Sequence, residues 1–369
     1  MSIDLSVPGN GNSGNGLAQR HDDAITLAMG LVYQNDAVFG IAGTEGRGGA
    51  SVYVAAYPVD KSGGLLPGET IHVFLTSGYL VCSGSLATAS ALLVGGGGAG
   101  GGGDNGGGGG AGGFLYNELT VGLSGTMPVS VGAGGPGGLG SAGIGGPSTL
   151  GTELLVSGGG NGAGSGVMIS GYFWDPYVFD YAASAGGSGG GGIVSKVGYT
   201  HPATGYYTHP GMAGIPGEGH DGGDGNMNTV YGYPRGAGGG GGGAGEAGET
   251  TTSDKGGKGG DGLPCAIGGS TVWYAGGGGG SLEPSSYTGP AGYGGAGGGG
   301  GGGSAGSDGL GGGGGAGSGQ EAPPGYNGNS PGYSGGSGIV VVRYHNHSGF
   351  SATGGAMFAV DDAGTVTPL

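Results

Sequence analysis

Three histidines, His201, His209 and His220, and two close carboxylate pairs, Asp221 with Asp224 and Asp361 with Asp362, are the residues of this chain best suited to metal binding or acid–base work. Neither chemistry has its setting. The histidines lie among Tyr, Pro and Thr with no spacing that fixes a metal geometry. The aspartates stand in glycine-rich turns, without the apolar pocket that lifts a carboxyl pKa into the range of proton transfer. "GGDGNMN" at 222–228 is close to a calcium-binding nonapeptide, but Met227 stands where an Asp ligand belongs and the unit occurs once. "GGKGG" at 256–260 lacks the Ser or Thr after Lys258 that a phosphate loop needs for magnesium. GxSxG around Ser188 and Ser304 sits inside glycine tracts, not in a strand–turn–helix. With about four residues in ten being Gly in that region, roughly 6% of positions match the dinucleotide fingerprint GxGxxG by chance, so that match carries nothing. The reading is of a chain that is not an enzyme and has no metal or cofactor motif.

Recognition chemistry is better represented. "GYFWDPYVFDYAAS" (171–184) carries Tyr172, Phe173, Trp174, Tyr177, Phe179 and Tyr181 within one turn-rich insertion. "KVGYTHPATGYYTHPG" (196–211) holds Tyr199, His201, Tyr206, Tyr207 and His209 and repeats Tyr-Thr-His-Pro, and "NMNTVYGYPR" (226–235) adds Tyr231 and Tyr233. Later insertions place Tyr287, Tyr293, Tyr326 and Tyr333 beside Pro, Gly, Ser and Asn. Tyr among Gly, Ser and Asn gives large contact area at low conformational cost, and Pro stiffens the loops that carry it. Tyr172, Trp174, Tyr177, Tyr199, His201, Tyr206, Tyr207, His209, Tyr231 and Tyr233 are therefore the candidate binding residues. The competing role for Phe173, Trp174 and Phe179 is to pack against one another at the end of a scaffold. Asp175 and Asp180 stand among these aromatics, the only hint of a polysaccharide-cleaving groove with paired carboxylates.

Loops of this kind need a rigid support, and the elements between them are unusual. Most of the 116 glycines lie between residues 95 and 344. Short apolar strands run directly into the glycine tracts: "LLVGGGG" at 92–98, "VSVGAGG" at 129–135, "LLVSGGG" at 154–160 and "VWYAGGGGG" at 272–280. "GGSGIVVVRY" at 335–344 reverses the order. A flexible linker has no need of such brackets. Extended three-fold chains make no internal hydrogen bonds, so buried ones must bond to neighbours, and glycine lets them approach closely enough to do so. The expectation is a packed block of polyglycine II rods. At ~3.1 Å per residue, a tract the length of 95–113 would span roughly 60 Å as one straight rod. A collagen triple helix is excluded, because "GMAGIPGEG" at 211–219 fits three triplets and His220 then breaks the period.

The flanks read differently. "ASVYVAAYPV" (50–59) and "ETIHVFLTSGYLV" (69–81) look like strands, and "GGAMFAVDDAGTVTPL" (354–369) like a strand, a turn and a short end strand. The predicted fold is mostly β and irregular, with little α-helix and short strands bracketing the glycine block. Its expected parts are an N-terminal arm and small β-rich attachment region at 1–69, the glycine-rich domain with its insertions at 70–344, and a hairpin-like tail at 345–369.

Composition narrows the partners. Charged residues are 9% and aromatics 8%, against the usual signature of disorder. A net charge of −16 argues against nucleic acid and anionic lipid. No apolar run approaches the ~20 residues of a membrane-spanning helix, so no membrane insertion is expected. The start, "MSIDLSVPGNGNSGNG", lacks the basic and apolar segments of a secretory signal. Cys82 and Cys265 lack CxxC spacing and are expected to be ordinary thiols rather than a bridge.

The order "TSGYLVCSG", "ASALLVGGGGAGGGG", "VSVGAGGPGG" and "GGSGIVVVRY" resembles the glycine-rich domain of bacteriophage tail-fibre and receptor-binding proteins, over about residues 70–344. The resemblance implies polyglycine II rods of the tail-fibre-tip adhesin type, whose variable loops touch a host surface protein or glycan. It also fits a virion location after synthesis in the host cytoplasm. Residues 1–69 lie outside the resemblance; the N-terminal region, β-rich and ordinary in glycine, is the expected joint to other tail or fibre proteins, and a homo-oligomer is permitted. The competing class is a structural virion decoration or a self-assembling filament or sheath subunit.

Overall fold

A computed structural model of the chain describes residues 68–369, apart from 104, 140–141, 169–176, 197–205, 231–232, 252–254, 283–289, 318–329 and 362–364. The strand expected at 50–59 therefore lies outside the described residues. Among those described there is no α-helix.

Residues with β-branched and aromatic side chains build one large antiparallel sheet at one end of the molecule. β1 (Glu69–Phe74) leads into β2 (Gly78–Val94), and β3 (Phe114–Ser130), β4 (Ser148–Leu150) and β5 (Leu154–Val156) follow on its flank. β14 (Ile339–His345) inserts between β1 and β2, β15 (Ser351–Thr353) adds to the early part of β2, and β16 (Ala356–Val360) and β17 (Val366–Pro368) close the other side. Toward the C-terminus β16 and β17 pair, and β16 joins this sheet through β1.

Alternation along the strands gives the sheet two apolar faces. Ile71, Val73, Leu92, Val94, Ile339, Val341, Phe358 and Val360 point one way and meet Ala111, Ala244, Tyr274, Ala275 and Leu310 of the glycine-rich region. Phe74, Leu80, Leu93, Leu123, Val129, Val340, Val342, Tyr344 and Phe350 make a second core on the other face. Register shifts between Val81/Ser85, Leu86/Ala89 and Ala89/Ala91 bend the β2–β3 ribbon, and such bulges let the far part of a strand pair turn toward its own sheet. His72 is among the polar groups buried on this side of the sheet. His72 Nδ1 lies 2.8 Å from the Gly354 carbonyl, which can only accept, so Nδ1 carries the proton and Nε2 accepts from the Tyr344 hydroxyl at 3.1 Å. At the end of the sheet Arg343 pairs with Glu69.

From this sheet the glycine tracts run out and back. Their hydrogen bonds have a period of three. Gly95, Gly98 and Gly101 donate to Gly113, Gly110 and Gly107; Gly96 and Ala99 donate to Gly146 and Gly143; Gly97 and Gly100 donate to Gly336 and Tyr333. Every third residue returns to the same neighbour, as an extended three-fold helix requires when it is bonded on three sides. The next tract repeats the pattern: Gly107, Gly110 and Gly113 donate to Ala163, Gly160 and Ser157, Gly108 and Ala111 to Gly239 and Gly242, and Gly109 and Gly112 to Gly314 and Gly311. A bundle of polyglycine rods is the result.

Glycine is required by this spacing. A Cβ added at Gly97 would lie under 3.0 Å from the Gly312 carbonyl oxygen, and one at Gly107 or Gly241 would meet the Gly191 or Gly109 carbonyl as closely. The block is therefore held mainly by backbone bonds and close approach; the larger apolar burial lies at its junction with the sheet, with a small cluster of Ala163, Ala183 and Ile193 farther along the block.

The tract 95–113 does not run as one straight rod. Gly103 takes the left-handed conformation at φ 96 and the chain doubles back, giving two antiparallel rods. The physical reason is the sheet: Phe114 must return to pair with Val94, the residue from which the tract departed. Each rod of about eight residues spans roughly 25 Å.

Candidate recognition surface

The tract that turns at 101–106 marks the end of the block away from the sheet, and the feet of the insertions converge on it. The Gly102 N–H donates to the Tyr181 hydroxyl at 2.8 Å, at the foot of the hairpin of β6 (Gly164–Met168) and β7 (Tyr177–Tyr181). Asn105 Nδ2 donates to the Val194 carbonyl at 2.6 Å, in the hairpin of β8 (Ile193–Lys196) and β9 (Tyr206–His209). The hairpin of β10 (Asn226–Val230) and β11 (Tyr233–Ala237) leads into Gly238, whose N–H bonds to Ser281, and Ser281 in turn bonds to Gly106. Gly317 donates to Gly101, and Gly103 to Ser330. The rods that lead to and from 283–289 and 318–329 therefore end at the same place. β10 and β11 also lie against β8.

The opposite end carries different elements. There the hairpin of β12 (Leu263–Cys265) and β13 (Val272–Tyr274) places Cys265, Ile267, Val272 and Tyr274 in the core shared with the sheet. Trp273, which alternates with Val272 and Tyr274, is 46% exposed on the outer side of that hairpin.

Of the residues singled out by sequence, Tyr177 lies on β7, Tyr206, Tyr207 and His209 on β9, and Tyr233 on β11. The structure brings these strands to one end of the block. Tyr177 stands opposite Met168, Tyr206 opposite Lys196, Tyr207 opposite Ser195, His209 opposite Ile193 and Tyr233 opposite Val230. Tyr172, Trp174, Tyr199, His201 and Tyr231 lie outside the described residues, in sequence between the strands of these hairpins. His209 is half-buried, and its Nε2 has no hydrogen-bond partner among the described residues. Tyr181, beneath the cluster, serves as support: burial pushes its phenol pKa up, partly offset by the bond from Gly102.

Sequence reasoning left open which insertions share an end. The signal lies in tract length. Between β7 and β8 the chain crosses the block twice, coming back over 182–186 and going out over 187–192, with the Gly187 N–H bonded to Gly158 beside the sheet end. The segment 210–225 does the same between β9 and β10, where Glu218 at its turn accepts from the Ser157 N–H and its carbonyl from Phe114. Two crossings return the chain to the end it left.

Among the described residues no group of His, Cys, Asp and Glu is arranged to hold a metal ion. No helix there is long and apolar enough to cross a membrane.

Comparison with known proteins agrees with the architecture. A search of curated proteins finds none that matches the chain. The family model for a glycine-rich domain matches residues 76–345, from the turn before β2 to the end of β14, where the block enters and leaves the sheet. The chain belongs to the glycine-rich domain family.

Proposed function

We propose that this protein is an adhesin of a phage tail fibre or spike, whose polyglycine block presents Tyr/His/Pro hairpins to a host surface protein or glycan. One observation carries the reading: hairpins β6–β7, β8–β9 and β10–β11 all spring from the end of the block opposite the sheet. Loops on a rigid scaffold are where recognition concentrates, and Tyr-rich loops suit it. In this reading the sheet and the residues before it are the mount, and several copies on one particle multiply weak contacts.

The test is adsorption of particles carrying Tyr206→Ala, Tyr207→Ala and Tyr233→Ala to whole host cells. Assembled particles that adsorb at least ten-fold more slowly support the proposal. Particles that adsorb normally refute it. Failure to assemble, with the isolated chain still folded, favours the competing reading of a structural decoration or filament subunit.

A further inference from the structure

The glycine block stops at its outer rods, and the exposed residues there recur every third position. They are Ala133, Pro136 and Leu139 on one rod, Ile144 and Pro147 on the next, Pro210, Ala213 and Pro216 on another, and Pro290, Tyr293 and Ala296 on a fourth. The glycines between them at 132, 135, 292 and 295 are buried. Three residues make one turn, so every third side chain of a rod points the same way.

Inside the block that direction is at most glycines filled by a neighbour's carbonyl, under 3.0 Å from an added Cβ, and the side chains taken between rods are small, as at Ala99, Ala111, Ala163 and Ala316. The converse follows. A rod with a proline or a large side chain on its outer face leaves no room for another rod. Proline goes further, since it offers no N–H to an incoming carbonyl.

At four N–H groups of outer rods the acceptor is a carboxylate. Asp224 Oδ1 accepts from Gly211 at 2.8 Å, Asp221 Oδ1 from Gly214 at 2.9 Å, Asp261 Oδ1 from Ala296 at 2.9 Å and Asp308 Oδ1 from Ser337 at 2.8 Å. Charged and proline residues blunt the edges of β-sheets in the same way, by removing the template that a second chain would extend.

We infer that these outward residues terminate the glycine lattice: they keep a second copy of the chain from adding its rods to the flank, so that contacts with other molecules are confined to the two ends of the block. The inference concerns the flank and stands whether or not the hairpin end binds a receptor. It separates this chain from a filament subunit that grows sideways.

The experiment is sedimentation velocity over a concentration series, with hydrogen exchange as the check that the rods remain formed. One variant combines Ala133→Gly, Pro136→Gly, Leu139→Gly, Ile144→Gly and Pro147→Gly; a second combines Pro290→Gly, Tyr293→Gly and Ala296→Gly on a separate rod. At least one variant that keeps its protected rods should show a sedimentation coefficient rising with concentration, with new protection along the altered rod. Variants that stay folded and sediment like the unaltered chain at every concentration overturn the inference. The unaltered chain decides without any variant: growth with concentration, with protection spreading along 131–147, overturns it, and a constant size there supports it.

Discussion

The substitution Gly97→Ala adds one methyl group at the centre of the block. Its Cβ would sit under 3.0 Å from the Gly312 carbonyl oxygen, a backbone atom that has no rotamer to escape into. Relief requires the rod at 311–317 to move off the rod at 95–103. Two bonds join those rods, from Gly314 to Gly98 and from Gly317 to Gly101, both 2.9 Å. Their groups are buried, and each unmade pair costs about 1–3 kcal/mol, so the substitution should destabilise by roughly 2–6 kcal/mol. That is a large share of the ~5–15 kcal/mol typical of a folded domain. The control is Gly122→Ala on β3, where the nearest atom to an added Cβ is the Leu86 carbonyl oxygen at 4.0 Å. It should change stability by no more than about 0.5 kcal/mol. Urea unfolding followed by hydrogen exchange of the rod amides measures both. A Gly97→Ala midpoint indistinguishable from that of Gly122→Ala would refute the claim that backbone contact between rods holds the block.

Two further expectations concern the sheet. Burial lowers the pKa of His72 to about 4, only partly countered by its bond to Gly354, so the unfolded chain takes up the proton first as pH falls. Stability is then lost between about pH 6.5 and pH 4, by at most about 3 kcal/mol from this group, and levels off below; His72→Phe should remove that slope in urea midpoints measured against pH, and an unchanged slope would disprove the assignment. Burial also pushes Cys82 up to about 11 and raises Cys265, whose bonds from the Ile267 and Ala266 backbone partly offset it. Little thiolate exists at neutral pH, so a thiol reagent should label the half-buried Cys82 more slowly than a free thiol and the buried Cys265 no faster than the chain unfolds; fast labelling of Cys265 would show the junction of block and sheet to be open.

Much of this architecture is legible in the residues. Apolar runs that stop at glycine mark the junctions at Val94, Ser130, Val156 and Tyr274, and the reverse junction at Ile339 closes the block. Alternation and β-branching identified β1, β2 and β16, because one strand's worth of side chains is enough to reveal a half-buried face. The tyrosine insertions stood out as the places where glycine gives way to contact-making side chains. A three-residue rhythm was also present in stretches such as "AGGPGGL", "KGGKGGD" and "PAGYGGA", although the irregular spacing between tracts hid it at the level of the whole chain.

What only the tertiary structure decided is which rod lies beside which, where each tract turns and which insertions end together. A rod is held through its N–H and C=O groups, and these are the same at every residue, so residue types do not name a partner as apolar patterns do in a core. Gly97 and Gly98 are identical in sequence, yet one donates to Gly336 and the other to Gly110. That choice was made by closure: the strands on either side of each tract had to meet again in the sheet, and the rods between them took an arrangement that pairs their backbone groups with one another.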